Sequence, residues 1–288
     1  MLKKIRIAII LFVFAAIAIA VVLLIPIASL ANVIADCDVR YTPDYEEINL
    51  KDYPGIASGV FSEEDYNVLL KQTGLGKDAV DSVFRSVKDP VGALEEYQRN
   101  FFNPPAYRCD EIGIITKEER LYDDEGHMVN GFNIADVRDG DILLTKATHS
   151  FGWRHGHAAI VIDALRGKTL EAVLWGQPSM IQNISKWQTY PTFIQLRLKD
   201  GKIAEKAAAF AEENLDNIDY GLLTGLFTKY KEKIDKTQCA HLPWYAYMHY
   251  GYDLDSNGGW LVTPKDLSGS KYLEIVQIYG VDPDEIWK

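Results

Sequence analysis

Residues 138–175 read RDGDILLTKATHSFGWRHGHAAIVIDALRGKTLEAVLW. Three short apolar runs stand in this stretch: DILLTK at 141–146, HAAIVI at 157–162 and TLEAVLW at 169–175. Each is too short for a stable helix and is flanked by glycine or polar residues, so each predicts a strand. The last two are separated by residues 163–168, a short turn containing Gly167. A fourth run, FIQLRL at 193–198, predicts a strand alternating between inside and outside. Upstream, EIGIIT at 111–116, a turn at Asp123-Asp124-Glu125-Gly126 and HMVNGFNI at 127–134 predict a hairpin.

Helical signals flank these strands. Ser62 is a good N-cap for a helix running to about Gln72 and stopped by Gly74, while Val80, Val83, Phe84 and Val87 fall at helical spacing. A further helix, residues 91–101, ends at Asn103-Pro104-Pro105, and helices return at 204–214 and at about 238–250. Residues 36–59 mix Asp, Tyr, Pro and Gly without a period and read as a linker. The order of helices, antiparallel strands, then helices predicts an α+β fold.

The chain is 288 residues long, 48% apolar and 25% charged, which excludes a disordered or collagen-like protein. All 41 acidic residues lie after residue 35, whereas Lys3, Lys4 and Arg6 lie before it, so the body is more acidic than the net −11 of the whole chain. Such a surface repels polyanions, and no nucleic-acid partner is expected. Residues 7–25 form an unbroken run of 19 apolar residues, about 28 Å as a helix and close to a bilayer's hydrocarbon thickness. The basic residues before this run place the N-terminus in the cytoplasm and the body outside. Residues 1–35 are read as a transmembrane anchor, with a cleaved signal peptide as the rival, because Ser29-Leu30-Ala31 and Val33-Ile34-Ala35 resemble cleavage sites. The body is exported in either case. Of the three cysteines, Cys37 and Cys109 would pair in an oxidising compartment and leave Cys239 as a free thiol.

A thiol becomes nucleophilic at a helix N-terminus or beside an imidazole. Asp235 or Thr237 is in position to cap a helix whose first turn holds Cys239, although Pro243 makes that turn irregular. His157 opens a buried strand, where a general base would be held rigidly. Glu171 sits between apolar neighbours one strand later and needs a partner there. If the two strands pair, a Cys239–His157–Glu171 relay follows. Against it stands the reading of Cys239 as a small buried hydrophobe. His155 and His157 share a strand face as a metal pair would, but one exposed and one functional histidine explain that spacing as well. Asp253 to Gly258 resembles the start of a calcium loop, yet its twelfth position is Pro264, so a turn is expected. No metal and no cofactor are expected.

Residues 138–163, TLEAVLWGQPSMIQNISKW from Thr169 and TQCAHLPWYAYMHYGYDLDSNGGWLVTPKDL from Thr237 resemble the permuted papain-like amidases of the YiiX and YaeF type, in the NlpC superfamily of cysteine hydrolases. The likeness spans residues 137–272 and rests on order: Gly-Asp before a strand, His opening the next, Glu-Ala on the third, then Cys at a helix start. It implies a circularly permuted papain-like fold over residues 137–288; residues 36–136, read above as a linker and helical/hairpin region, have no counterpart in the resemblance. It also implies Cys239 as nucleophile, His157 as base, Glu171 as the residue orienting it, and Tyr220 as a helper at the oxyanion. The chain departs from the family in having Ala240-His241 where Ser-Glu commonly follows the cysteine. The implied activity is hydrolysis of a cell-envelope amide, a peptidoglycan stem peptide or an acyl amide, by a membrane-anchored extracytoplasmic enzyme. A lipid amidase or acyltransferase and a non-catalytic wall-binding module are the alternatives, with a zinc hydrolase behind them.

Overall fold

The structure is a computed structural model and describes residues 13–17, 19, 40–150, 153–224 and 233–287. Among these no helix is long and apolar enough to cross a membrane. The apolar run at 7–25 and Cys37 fall largely outside the described residues, so the anchor and the Cys37–Cys109 pairing lie outside them too.

After a 3-10 turn at Leu50–Asp52 come four helices: α1 (Pro54–Ser58), α2 (Glu63–Thr73), α3 (Lys77–Ser86) and α4 (Pro90–Phe102). α2 starts where the local chemistry dictates. Ser62 and Asp65 form a reciprocal capping box, and Gly74 at φ 74° closes the helix. Strands β1 (Ala106–Glu111) and β2 (Thr116–Tyr122) then pair antiparallel, and β4 (Thr148–Ser150) and β5 (Trp153–Arg154) extend them into a four-stranded sheet. The main sheet has six antiparallel strands in the order β12-β9-β3-β6-β7-β8. These are β3 (Ile142–Thr145), β6 (His157–Asp163), β7 (Lys168–Glu171), β8 (Met180–Asn183), β9 (Phe193–Leu198) and β12 (Leu273–Tyr279). Helices α5 (Gly201–Asn214), α6 (His241–Met248) and α7 (Pro264–Ser268) complete the chain with a short parallel pair, β10 (Asp219–Tyr220) and β11 (Lys236–Thr237). The architecture is α+β.

Both faces of the central strands are covered, which is why their sequences run almost wholly apolar. Ile142, Leu144, Ala158 and Ile160 enter a core with α5 and α6. Leu143, Ala159 and Val161 face the other way, against Trp187, Tyr190 and Phe193. The same double cover corrects the expectation for β9, which is buried along its whole length. Its alternation is one of chemistry rather than exposure: Gln195 and Arg197 turn to buried Asp141, and Arg197 also binds Asp136 at 2.7 Å.

The expected hairpin is displaced. Residues 111–116 are mostly the loop joining β1 to β2, with Ile114 fully exposed at its tip. The turn at residues 123–126 is real, but the chain beyond it makes one bridge, Tyr122 to Met128, rather than a strand. The true strand, TKEERLY, hides behind its charges: Glu118 and Glu119 are both buried and held by Arg120 and Arg154. Charge patterning reads such a segment as solvated, and only its cross-sheet partners make it a strand.

Candidate active site

His157 enters β6 through Gly156, whose φ of 71° and close approach to the Thr145 carbonyl leave no room for a Cβ. Register then does the positioning. Thr145 lies opposite His157 and Ala159 lies opposite Glu171, so His157 and Glu171 are diagonal neighbours on one sheet face. His157 Nε2 and Glu171 Oε2 are 2.7 Å apart, and both residues are buried. The pairing that the sequence left conditional is therefore formed.

Glu171 is 0% exposed and is surrounded by donors. Lys186 Nζ lies 2.6 Å from Oε2, while the Thr169 hydroxyl and the Trp187 indole N–H donate to Oε1 at 2.7 and 3.0 Å. Burial alone would raise its pKa. The Lys186 charge and the His157 hydrogen bond outweigh burial and hold the carboxyl well below the usual carboxylate range. The Trp187 ring also stacks on the His157 ring, centroids 5.5 Å apart and 12° from parallel.

Lys186 and Trp187 were not legible as site residues. They ride on a 3-10 turn, Ile184–Thr189, that folds back over β7 after β8. Nothing in ISKW announces that return, because it depends on the register of a strand four residues long. Lys186→Met is expected to lower the unfolding free energy by about 1–3 kcal/mol, the cost of leaving part of a buried charged group unsatisfied. Lys186→Arg should retain most of it. Urea unfolding at neutral pH checks this, and an unchanged midpoint in Lys186→Met removes the residue from the support of the site.

Cys239 is buried, its thiol donates to Gln238 Oε1 at 3.6 Å, and it lies close enough to His157 to act on the charge of the ring. With Nε2 committed to Glu171, Nδ1 is the nitrogen that a proton relay from the sulfur would use. Burial opposes a charge on His157, but the bonds to Cys239 and Glu171 and their negative charges prevail and push its pKa up to about 9. The arrangement can pass a proton from the sulfur to the ring and hold the resulting imidazolium against a fixed carboxylate.

The cap of Cys239 differs from expectation. Asp235 and Thr237 do not cap a helix there: Thr237 belongs to β11, and α6 begins at His241 with Ala240 at its cap and no side-chain bond. Cys239 stands just ahead of the helix. Gln238 takes over the capping task, its Oε1 accepting from Ala240 N at 2.9 Å and its carbonyl from Leu242 N at 3.0 Å. Pro243 has no N–H for the Cys239 carbonyl, so the regular ladder cannot start from the cysteine. Tyr220 lies opposite Thr237 in the parallel pair. Burial first, and the charge of Cys239 second, raise its phenol pKa. His157 and Glu171 are thus in direct contact, Cys239 lies near enough to raise the His157 pKa, and Tyr220 is paired through its backbone with a residue two positions before Cys239.

The other histidines take different partners. His155 Nε2 meets Ser150 Oγ at 2.9 Å and its Nδ1 meets the Gly156 carbonyl at 2.7 Å, so His155 and His157 do not converge as a metal pair. His241 Nδ1 meets Thr237 Oγ1 at 3.2 Å. In the calcium-like loop, Asp255 Oδ1 accepts from Asn257 N and Gly258 N, as in a turn. No family model matches the chain, and no curated protein or solved structure does either.

Proposed function

We propose that this chain is a cysteine hydrolase with a circularly permuted papain-like site, acting on an amide of the cell envelope from an N-terminal membrane anchor. The observation that carries the reading is the buried imidazole that is hydrogen-bonded to a carboxylate and whose pKa is raised by that carboxylate and by a nearby thiol. A structural histidine has no use for that pair, whereas a general base needs both.

In this reading Cys239 Sγ attacks the carbonyl carbon as its proton passes to His157. Tyr220 and the Cys239 backbone N–H stand beside the oxyanion that forms. Collapse breaks the C–N bond, His157 returns the proton to the departing amine, and a thioester remains on Cys239. Water, deprotonated by the same ring, then attacks the thioester and releases the acid and the thiol. Glu171 stays ionised throughout and keeps the imidazole oriented. Leu222 and Leu223, both exposed immediately after Gly221, favour an acyl chain as the alternative substrate class.

The test needs no substrate. Iodoacetamide alkylation of the full chain, followed by peptide mapping, should label Cys239 in the folded chain and show an inflection near about 9, where His157 loses its proton. His157→Ala should move the labelling of Cys239 to higher pH. A Cys239 that reacts only after denaturation would end the proposal.

A further inference from the structure

A second group of thiol, imidazole and carboxylate lies on the four-stranded sheet, and its geometry is of another kind. Cys109 on β1, Glu119 on β2 and His149 on β4 come from three neighbouring strands. Cys109 is paired directly with Glu119, and His149 is paired with Lys117, two residues from Glu119, so all three side chains share one face. Cys109 Sγ is 3.3 Å from His149 Nε2, and Glu119 Oε1 is 3.4 Å from that same nitrogen. The three donor atoms lie within 4.8 Å of one another.

A proton relay needs opposite nitrogens of the ring for its thiol and carboxylate, as Glu171 and Cys239 require at His157. At His149 one nitrogen faces both, so the three atoms surround a common point instead. We propose that Cys109, Glu119 and His149 form a binding site for a thiophilic divalent cation, zinc above all. A tetrahedral zinc with bonds of about 2.3 Å to sulfur and about 2.0 Å to nitrogen and oxygen sets S···N near ~3.5 Å and N···O near ~3.3 Å. The observed 3.3 and 3.4 Å are within a few tenths of an ångström of both.

The donor set selects the metal. One sulfur, one nitrogen and one oxygen suit zinc, whereas calcium and magnesium require oxygen throughout. Arg154 Nη1 holds the other oxygen of Glu119 at 2.6 Å, which orients Oε1 toward His149 as an outer partner does at a metal centre. Glu119 is buried, His149 is half-buried and Cys109 is exposed, so a hydrated ion enters from the Cys109 side. Binding displaces the thiol proton to solvent and leaves a fourth tetrahedral position for water. The ion ties β1, β2 and β4 together on the face opposite Glu118, whose carboxylate accepts from Tyr190 at 3.0 Å and Thr148 at 3.3 Å.

The test uses the full chain in detergent, stripped with chelator under reducing conditions and dialysed against Zn²⁺. About one equivalent should remain bound per chain. Cys109→Ser and His149→Ala should each weaken binding by more than about 100-fold, beyond what loss of an outer partner costs. Cys239→Ser should leave binding unchanged, which separates this site from the proposed active site. Co²⁺ added to the unmodified chain should give a thiolate charge-transfer band, a readout that needs no variant to fold. The proposal is overturned by binding well below one equivalent, by the absence of that band, or by binding that survives both substitutions. A Cys37–Cys109 disulfide in chain isolated without reductant, which consumes the ligand, overturns it as well.

Discussion

Cys239→Ala is expected to abolish turnover, with a loss of about 10⁴ to 10⁶-fold, the range seen when a covalent nucleophile is removed from an intact site. The natural substrate need not be known. An activated ester such as p-nitrophenyl acetate acylates a competent thiol, so the unmodified chain should release a burst of p-nitrophenolate equal to one per molecule before a slower phase. The burst should vanish in Cys239→Ala. Cys109 offers an internal control, since it is the more exposed thiol but its neighbouring imidazole, His149, has its pKa lowered by burial, unlike His157. A burst that survives in Cys239→Ala and disappears in Cys109→Ser would transfer the chemistry to the wrong thiol and end the hydrolase reading. Folding should be unaffected, because the substitution removes one sulfur from a position 7% exposed and leaves the Gln238 bonds that open α6 in place.

Glu171→Gln should have the largest effect on stability, about 3–5 kcal/mol at neutral pH, because removing one partner from a buried ionic cluster strands the others. The carboxylate accepts from Thr169 and Trp187 on one oxygen and faces His157 and Lys186 on the other. A glutamine must turn its NH₂ toward one of those donor pairs. The pH dependence carries a second signature. The pKa of Glu171 is depressed on folding, so its contribution is present above its unfolded value of about 4.5 and is lost as the pH falls below it. The pKa of His157 is raised to about 9, so its contribution is complete below an unfolded value of about 6.5 and is lost as the pH rises through about 9. Urea midpoints of the unmodified chain should therefore fall toward both ends. In Glu171→Gln the acid limb should flatten and the alkaline limb should shrink without vanishing, since Cys239 still supports the imidazolium. A loss below about 1 kcal/mol at neutral pH would mean the cluster is not the buried ionic unit described.

Different parts of this site were legible to different degrees. His157 and Glu171 stood out because each is a polar residue inside an apolar strand, and a buried charge must find a partner. Cys239 was read correctly as lying near a helix start, but its cap was assigned to Asp235 or Thr237, three and one positions before Gln238, the residue whose side chain does the capping. Gln238, one residue before the cysteine, does that work with an amide side chain that capping rules do not favour. Lys186 and Trp187 carried no signal at all. β2 was missed for the opposite reason, since four of its seven residues are charged and two of its glutamates are nonetheless buried.

By itself the sequence determined the apolar runs that become β3, β6, β7 and β9, the Ser62 cap and Gly74 stop of α2, and the types of residue present at the site. All of these depend on neighbours a few positions away, and chain connectivity supplies such neighbours before any fold exists. The tertiary structure alone decided which side chains meet: the diagonal register between β6 and β7, the return of Lys186 and Trp187 over Glu171, and the approach of Cys239 to a ring 82 positions earlier in the chain. Strand register is set by a sum of packing contacts over both faces of a sheet, and shifting it by one residue would turn Glu171 away from His157.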